Sequence, residues 1–367
     1  MSNVNNKYRF LFAGGGTGGH LFPAVAVAEH IREMKPEADI LFIGTKDKIE
    51  GRVVPKLGFK FRSIWIKGFS RKINFENLLF PVKLFVSIIQ SLLINMSFRP
   101  KVAIGSGGYV AGPAIWAANV LGAKIILLEQ NSYPGVTTRL LERYANEVHL
   151  SFEESKKYLR KEKIHHLTGN PVRKNLGRLD KSEALKIFGL SKEKKTLLVL
   201  GGSLGARTIN ESMSAGINTI KENGIQVIWQ TGKNYFEQFR QMNSDSIKVY
   251  DFIEDMNAAY SACDLLLARA GATTIAELLN IGIPAILVPS PNVAENHQYF
   301  NAKSLSDKNA AVLIEDKNLK NEFAKHVIDI MNSERTLSEI KTNALKLAKP
   351  QAAKVIAKNA INFAEAV

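Results

Sequence analysis

The sequence predicts an α/β protein with two doubly wound, Rossmann-like parallel sheets, each in its own domain. Three observations lead to this prediction: short β-rich runs alternate with helical runs, two of those strands end in glycine-rich turns, and the chain has 367 residues. Alternating strands and helices form parallel sheets that are covered by helices on both faces. Because 367 residues exceed one ordinary hydrophobic core, two domains are expected.

The first domain begins with a strand pattern, YRFLFA at 8–13, which is followed by GGGTGGH at 14–20 and a helical run from Phe22 to Met34. This order is a strand, a phosphate-type loop and a helix. Further strands are predicted at 38–44, 101–105, 124–129 and 146–150.

The second domain begins at TLLVLGGSLGAR, residues 196–207, where a buried-strand run again ends in a glycine-rich turn before a helix. Pro171 breaks regular structure, so we assign 1–171 to the first domain and 172–349 to the second. Residues 350–367 are predicted to form an amphipathic helix that packs back on the first domain. The two domains are expected to face a central cleft, lined by the carboxyl ends of their strands. The second domain's further strands are predicted at 225–230, 246–250, 264–268, 284–289 and 310–314.

Composition indicates a folded protein in a reducing compartment. Hydrophobic residues make up 46% of the chain and charged residues 23%, as in soluble globular proteins. The single cysteine excludes an internal disulfide, and the N-terminus MSNVNNKYRF lacks the apolar core of a signal peptide. We therefore expect a cytoplasmic location.

The net charge of +15 is concentrated in the first half of the chain. Residues 1–171 carry +11 and the remainder +4, and residues 46–101 hold 12 basic and 3 acidic side chains. This density suits an anionic partner such as phospholipid or nucleic acid, although a solvated basic face is the plainer interpretation.

Residues 78–96, LLFPVKLFVSIIQSLLINM, have a polar stripe at helical spacing. The stripe and Pro81 argue against a lone bilayer crossing, which needs about 20 mainly apolar residues. The apolar face is expected to be partly domain core and partly a lipid-docking surface, whereas a wholly buried face is the alternative. The predicted membrane residues are Arg71, Lys72, Leu79, Lys83 and Phe85, and Arg99 adds positive charge.

Three glycine-rich turns stand at predicted strand ends, at 14–19, 105–108 and 201–205. The first lacks the GK[ST] ending of a P-loop, and no acidic residue ends the second strand as in dinucleotide-binding enzymes. Backbone amides at a helix N-terminus suit a pyrophosphate, although a single such loop is often only a tight turn. The residues assigned to acceptor or phosphate binding are Gly14, Gly15, Gly16, Gly105, Ser106, Gly107, Gly108 and Tyr109.

The segment RAGATTIAELL, residues 269–279, places Glu277 in the second turn of a predicted helix. A carboxylate there suits the two hydroxyls of a ribose, while Gly271 to Thr273 meet phosphates. An exposed helical glutamate is the plainer interpretation.

The motifs GGGTGGHLFPAVAVAEHI, GSGGYVAGP, LLEQN, GNPVR, LGGSLGAR, FIEDM and RAGATTIAEL occur in this order. Over residues 8 to about 303 they closely resemble the MurG family of bacterial N-acetylglucosaminyltransferases. The resemblance implies the GT-B fold. It also implies inverting transfer of N-acetylglucosamine from UDP-N-acetylglucosamine to the muramyl C4 hydroxyl of lipid I, giving the lipid II of peptidoglycan synthesis.

The resemblance also implies site residues. His20 is the expected general base, since an ordinary histidine pKa of about 6.5 lies near working pH, although binding of acceptor pyrophosphate is an alternative role. Ser203, Arg173 and loop amides are expected to meet the leaving diphosphate. Asn292 and Asn296, near Gln298, depart from the family pattern. The implied donor contacts are Thr17, Gly18, Gly19, Asn131, Arg173, Ser203, Ile253, Ala272, Thr273, Thr274, Ile275, Ala276, Glu277 and Gln298.

No metal or tightly bound cofactor is expected, because the sequence has no DxD motif and its seven histidines show no ligand spacing. The expected partners are the UDP-sugar donor, the polyprenyl-linked acceptor and an anionic membrane surface, with peripheral attachment at the cytoplasmic face of the inner membrane. A related enzyme with another acceptor and a UDP-N-acetylglucosamine epimerase remain alternatives. A basic nucleic-acid-binding protein is the non-enzymatic alternative, but it leaves the glycine loops and Glu277 unexplained.

Overall fold

The structure is a computed structural model that describes residues 8–68, 79–173, 176–202 and 204–366. The predicted site residues Arg71, Lys72 and Ser203 lie outside these ranges. The chain divides into two compact units. The first domain comprises Met1–Arg173 with Lys349–Val367, and the second comprises Lys174–Ala348.

Each domain is built on one parallel sheet. The strands are Arg9–Gly14 (β1), Asp39–Gly44 (β2), Lys60–Ser63 (β3), Val102–Gly107 (β4), Lys124–Glu129 (β5), Glu147–Leu150 (β6), His165–Leu167 (β7), Thr196–Leu200 (β8), Gln226–Gln230 (β9), Ile247–Tyr250 (β10), Leu265–Ala268 (β11), Ala285–Leu287 (β12) and Val312–Leu313 (β13). The first domain contains a seven-stranded sheet in the order β3-β2-β1-β4-β5-β6-β7, in which every neighbouring pair is parallel. The second contains a six-stranded parallel sheet in the order β10-β9-β8-β11-β12-β13. The fold class that the sequence predicted, two doubly wound parallel-sheet domains, is thus observed.

Helices connect the strands, and short 3₁₀ turns cover Glu142–Tyr144, Glu153–Tyr158, Arg240–Met242 and Ala294–Asn296. The helices are Gly18–Met34 (α1), Ile49–Lys56 (α2), Phe80–Phe98 (α3), Ala111–Val120 (α4), Val136–Leu141 (α5), Lys181–Ile187 (α6), Arg207–Glu222 (α7), Phe236–Phe239 (α8), Met256–Ala262 (α9), Ala272–Ile281 (α10), His297–Ser306 (α11), Leu319–Met331 (α12), Glu334–Leu347 (α13) and Ala352–Glu365 (α14).

The C-terminal helix α14 completes the first domain. Ile356, Ala357 and Ala360 of α14 are fully buried and belong to the same hydrophobic cluster as Leu21 and Val27 of α1. Alanine at positions 357 and 360 lets the two helices approach closely, since a small side chain keeps little volume between the backbones. The end of the chain therefore packs on the glycine-loop helix of the first domain.

Helix α3 buries its polar face and exposes its apolar face. Ser87, Ser91 and Asn95, which belong to the polar stripe, are fully buried. Asn95 Nδ2 donates to Ser91 O at 2.8 Å and to Ala114 O of α4 at 3.4 Å. Ser87 Oγ donates to Leu84 O at 2.7 Å. The small polar residues thus form the contact face of the helix.

The opposite face of α3 exposes large apolar side chains, and Phe85 is 64% exposed. Lys83 stands partly exposed at its edge, with Nζ 5.7 Å from the centroid of the Trp65 ring. By length and composition alone, among the described residues, α3 is long and apolar enough to cross a membrane, a test that core helices of soluble proteins also pass. The exposed apolar residues of this region, hereafter the α3 face, are Leu79, Val82, Phe85, Ile89, Leu93 and Met96.

Candidate active site

The first glycine loop, residues 14–17, links β1 to α1 and packs tightly against its surroundings. A Cβ atom on Gly14 would lie 1.8 Å from Ser106 Oγ, and one on Gly15 would lie 2.4 Å from Glu50 Oε1. Gly16 has a φ of 84°, in the left-handed region that glycine adopts without strain. The glycines therefore permit close packing as well as the turn itself.

Glu50 of α2 binds the backbone of this loop, a contact that was not predicted from the sequence. Its carboxylate is 1% exposed and accepts hydrogen bonds from Gly16 N at 3.0 Å, Thr45 N at 3.1 Å and Thr45 Oγ1 at 2.8 Å. The Gly16 amide therefore points to a protein carboxylate rather than to a phosphate. Helix α1 begins at Gly18, so the amides of Gly18 and Gly19, next to Thr17, occupy the helix N-terminus where anions bind.

The second glycine-rich segment, residues 105–108, covers the end of β4 and packs against the first loop. Gly107 has a φ of 98°, and a Cβ atom there would lie 2.7 Å from His20 Nδ1. Gly108 has a φ of 79°, and its Cβ atom would lie 2.5 Å from Gly15 O. Ser106, which is fully buried, donates from Oγ to His20 O at 2.8 Å. The structure thus brings the two predicted loops together around the imidazole.

Gly105 and Tyr109 complete the second loop. A Cβ atom on Gly105 would lie 2.9 Å from Leu127 Cδ2, so the hydrophobic core leaves no room for a side chain at this position. The ring of Tyr109 packs on the first loop, 3.3 Å from where a Cβ atom of Gly16 would stand. Burial raises the pKa of the Tyr109 phenol, which is therefore neutral at physiological pH.

His20 directly follows Gly19 on the first turn of α1, and its side chain is partly exposed. Its Nδ1 atom lies 3.0 Å from Ser106 O and 3.3 Å from Gln130 Oε1. It lines a cavity of about 210 Å³. The other lining residues are Gly107, Gly108, Tyr109, Glu129, Gln130, Asn131, Gly135, Val136, Thr137 and Thr138.

The far wall of this cavity is the segment after β5, which carries the predicted donor contact Asn131. Glu129 at the strand end is buried and accepts from Asn131 N at 3.0 Å, from Gly135 N at 3.0 Å and from the Thr138 side chain. Burial raises the pKa of this carboxyl group, while these donors oppose the rise. Glu129 therefore fixes the loop that carries Asn131, a role that sequence reasoning did not assign.

Arg173 is the last residue of the first segment of the first domain and lies near the start of α1. Its guanidinium carbon lies 5.7 Å from the centroid of the Phe22 ring, within the range of a cation–π contact. The side chain is exposed. Arg173 therefore stands beside the helix that carries the first glycine loop.

In the second domain the loop after β8 is again closely packed. Gly202 and Gly205 have φ angles of 83° and 89°, and a Cβ atom on Gly205 would lie 2.3 Å from Thr231 O. A Cβ atom on Gly232 would lie 2.1 Å from Gly205 N. Glycine is thus required on both sides of this contact.

Helix α10 follows β11 and carries six predicted donor residues. Ala272, Thr273 and Thr274 form its first turn after Gly271, while Ile275 and Ala276 are buried. Helix N-terminal amides favour anions, so this turn suits a diphosphate. The first turn can therefore offer backbone amides, whereas Ile275 serves the core.

Glu277 is not the exposed helical glutamate of the plainer sequence interpretation. It is 4% exposed, and its Oε2 accepts a hydrogen bond from Tyr260 Oη of α9 at 2.8 Å. A buried carboxyl oxygen needs a hydrogen-bond partner, and the Tyr260 hydroxyl provides one. Tyr260, which sequence reasoning missed, therefore orients Glu277.

Two further predicted residues hold the strand ends of this sheet. The Ile253 amide donates to Gln230 Oε1 at 2.8 Å, and its side chain is buried. Gln298 Oε1 accepts from the Ser290 amide at 2.9 Å and so ties α11 to the segment after β12. The side-chain oxygen of Gln298 is thus engaged with the backbone of its own domain.

The residues of each domain gather at the carboxyl ends of neighbouring strands, β1, β4 and β5 in the first sheet and β8, β11 and β12 in the second. Ligands of doubly wound sheets bind at this edge. Across the described ranges, no group of three or more His, Cys, Asp or Glu side chains is arranged to hold a metal ion.

Comparison with known proteins agrees with this geometry. Residues 10–150 match the glycosyltransferase family 28 N-terminal domain, and residues 196–359 match the glycosyltransferase family 28 C-terminal domain. Two curated relatives carry the name UDP-N-acetylglucosamine–N-acetylmuramyl-(pentapeptide) pyrophosphoryl-undecaprenol N-acetylglucosamine transferase. The one from Cytophaga hutchinsonii is 44% identical over 94% of this chain and 94% of the relative. The one from Bacteroides thetaiotaomicron is 43% identical over 99% of this chain and 100% of the relative.

Among solved structures, the crystal structure of Acinetobacter baumannii MurG aligns with a TM-score of 0.78 at 26% identity, covering 97% of this chain and 100% of that chain. The resemblance and the GT-B fold class inferred from the sequence are thereby confirmed. The chain belongs to glycosyltransferase family 28 and, within it, to the family of N-acetylglucosamine transferases that bear the name of these two relatives.

Proposed function

We propose that this chain transfers N-acetylglucosamine from UDP-N-acetylglucosamine to the C4 hydroxyl of the muramic acid in lipid I, with inversion, to give lipid II. The substrates follow from the name that the relatives share. In the structure, the observation that carries the proposal is His20, held by two acceptors on Nδ1 in a cavity between three loops. An imidazole in this setting suits a general base.

The proposed reaction is a single displacement. His20 Nε2 removes the proton of the acceptor hydroxyl as its oxygen bonds to the anomeric carbon. The bond between that carbon and the diphosphate breaks, and its electron pair leaves on UDP. The new negative charge is stabilised by amides at the start of α10 and in the loop after β8, by Arg173 and by Ser203. Protein groups provide each of these roles, so the proposal includes no metal or cofactor.

In this proposal each domain binds mainly one of the two substrates. The first domain binds the acceptor through its glycine loops, with Thr17, Gly18, Gly19 and Asn131 contacting the donor from that side. The second domain binds the donor, and Glu277 accepts hydrogen bonds from the ribose hydroxyls. Its burial and the Tyr260 hydroxyl support this role, because a carboxylate that is already oriented loses little entropy on binding.

The same proposal places the enzyme on the cytoplasmic face of the inner membrane as a peripheral protein. The α3 face exposes six large apolar side chains, and the surrounding residues 46–101 are strongly basic. Such a surface suits an anionic bilayer, where the apolar side chains enter the boundary between headgroups and acyl chains. An acceptor on a polyprenyl anchor makes this attachment useful.

The reaction is tested with radiolabelled UDP-N-acetylglucosamine and a lipid I analogue. We expect label in a product that depends on the acceptor, one UDP released per transfer, and a β-1,4 linkage by NMR. Isomerised sugar nucleotide without acceptor would instead indicate an epimerase. Tight donor binding with no transfer would indicate another acceptor.

The membrane role is tested separately with vesicles that contain anionic phospholipid. Replacing Phe85 and Leu93 together by Ser is expected to reduce co-sedimentation severalfold, because less apolar area enters the bilayer. Val355→Ser on α14 is the matched control, since Val355 is also an exposed apolar helix residue. Equal losses in both proteins would contradict docking through the α3 face.

A further inference from the structure

Gln130 contacts His20, the proposed base, and is buried, with only 3% of its surface exposed. Its Nε2 atom donates to Ser106 O at 3.0 Å and to Leu128 O at 3.2 Å. Because both partners are carbonyl oxygens, this end of the amide must be the NH₂ group. The other end, Oε1, therefore faces His20 Nδ1, at 3.3 Å.

The His20 ring accordingly meets two acceptors at one nitrogen. Nδ1 lies 3.0 Å from Ser106 O as well as 3.3 Å from Gln130 Oε1. A carbonyl oxygen only accepts, so a neutral imidazole in this position carries its proton on Nδ1. The lone pair then belongs to Nε2, the nitrogen that acts as the base in the proposed reaction.

We propose that Gln130 is a positioning residue that holds His20 in the Nδ1–H tautomer and thereby makes Nε2 the proton acceptor. This inference rests on the proposed function for its catalytic meaning, but the tautomer is a property of the folded protein alone. Gln130 acts through two contacts: its oxygen accepts from Nδ1, and its NH₂ group holds the Ser106 carbonyl that also accepts from Nδ1.

Packing limits other placements of the ring. A Cβ atom on Gly107 would lie 2.7 Å from Nδ1 and 2.8 Å from Cε1 of His20, so the imidazole packs against a position that has no side chain. Ser106 Oγ also donates to the backbone carbonyl of His20. The ring plane is thus set by packing, while the position of the proton is set by the two acceptors.

An amide has a different effect from a carboxylate at this position. A carboxylate beside Nδ1–H stabilises the imidazolium and raises the histidine pKa, whereas a neutral amide fixes the tautomer without adding charge. Among the described residues, the titratable groups Glu129 and Tyr109 line the same cavity as the ring, and Glu50 accepts from an amide of the first loop. Glu129 and Glu50 are each directed to backbone amides.

Proton transfer can be followed through this arrangement. The acceptor O–H bond breaks, its proton binds Nε2, and the ring becomes an imidazolium with protons on both nitrogens. The positive charge is then shared with two neutral acceptors at Nδ1. After UDP leaves, Nε2 releases the proton to solvent, and the Nδ1–H tautomer is restored without a ring flip.

The tautomer is measured by long-range ¹H–¹⁵N correlation NMR on histidine-labelled protein, with the His20 signals identified by their loss in His20→Asn. In the wild type we expect the non-protonated nitrogen to be Nε2. In Gln130→Met, which keeps the volume but has no amide, we expect signals of the second tautomer. A wild-type ring protonated on Nε2, or an unchanged tautomer in Gln130→Met, would overturn the proposal.

Kinetics supply a second readout. Gln130→Met is expected to lower kcat by roughly 10- to 10²-fold with little change in the KM for UDP-N-acetylglucosamine, a smaller loss than removal of the base. Gln130→Glu is expected to keep more of the wild-type kcat than Gln130→Met, because a protonated carboxyl group can donate to Ser106 O while its carbonyl oxygen faces Nδ1–H. A kcat in Gln130→Glu as low as that in Gln130→Met would contradict the inference.

Gln226→Met is the matched control. Gln226 is as buried as Gln130 and donates through its NH₂ group to Ser191 O and Thr196 Oγ1, but it lies in the second domain. Its replacement is expected to lower the thermal midpoint without moving the pH profile or the His20 tautomer. If the wild type fails to transfer to lipid I, the NMR result still decides the tautomer, so the two failures are distinguishable.

Discussion

The two glycine-loop regions begin from the same local structure and differ in what the protein places beside it. In both, a buried parallel strand ends in a glycine turn that leads to a helix, β1 to α1 in the first domain and β8 to α7 in the second. In the first, Glu50 binds a loop amide and the imidazole of His20 packs on Gly107. In the second, the charged group, Glu277, is on a different helix and is held by Tyr260.

This difference teaches that the glycine loop does not by itself define the chemistry. The loop provides a turn and close packing. In the proposed function the base, His20, directly follows the first loop, whereas the acceptor for sugar hydroxyls, Glu277, lies on a different helix from the one that follows the second loop. Under the proposed function, substitutions in the first region therefore affect the chemical step, and substitutions in the second affect donor binding. The predictions below test this division in order of decreasing effect.

His20→Asn is expected to give the largest effect, a fall in kcat of about 10²- to 10⁴-fold, because it removes the general base. The KM for the donor is expected to change little. Steady-state transfer to a lipid I analogue measures both constants. His326→Asn, at an exposed position on α12, is the control and is expected to keep wild-type activity. A His20 variant with raised KM and unchanged kcat would place the residue in binding.

Glu277→Ala is expected to raise the donor KM by roughly 10- to 10²-fold with a smaller change in kcat, because charge-assisted hydrogen bonds to the ribose are lost. Isothermal titration with UDP provides the binding constant directly. The defect is expected to shrink with a 2′,3′-dideoxy nucleotide, which lacks the hydroxyls. An equal defect with both nucleotides would contradict the ribose contact.

Glu50→Gln is expected to destabilise the protein by about 1–3 kcal/mol, since the buried acceptor of three hydrogen bonds becomes an amide with one donor end. Thermal unfolding measures the loss. A severalfold decrease in kcat should accompany it, because the first loop loses its anchor. Glu153→Gln, a member of a surface ion pair with Lys156, is expected to change neither.

Tyr260→Phe is expected to have the smallest effect, an increase in donor KM of about three- to tenfold, because Glu277 loses one hydrogen bond of about 1 kcal/mol. Tyr250→Phe in the same domain is the control. An additive effect of Tyr260→Phe and Glu277→Ala in the double variant would show that the tyrosine does not act through the glutamate.

The strands next to the glycine loops were predictable because they are buried and strongly apolar. Strand β3 was missed, since it lies at the sheet edge, is four residues long and has only one half-buried side chain. The orientation of α3 was not evident either. Its polar stripe is typical of a solvated face, yet Ser87 and Ser91 are small enough to pack against α4 with their hydroxyls buried.

Among the candidate site residues, those inside recognisable motifs could be named from the sequence, whereas those that contact them from distant positions could not. Glu50, Gln130 and Tyr260 contact groups that lie 34, 110 and 17 positions away in the chain, respectively. No periodicity or motif spacing encodes such contacts, because only the folded sheet brings the groups together. Gln130 stands within LLEQN, yet its contact with His20, which follows β1, depends on β1, β4 and β5 being neighbours in that order.

A single-turnover experiment tests the division between the two regions most directly. Rates of transfer to a lipid I analogue are measured against donor concentration in the wild type, His20→Asn and Glu277→Ala. We predict that His20→Asn lowers the maximal rate at an unchanged donor dissociation constant, whereas Glu277→Ala raises that constant and largely preserves the maximal rate. The opposite assignment, or the same change in both variants, would contradict the proposal that the first region supplies the base and the second binds the donor.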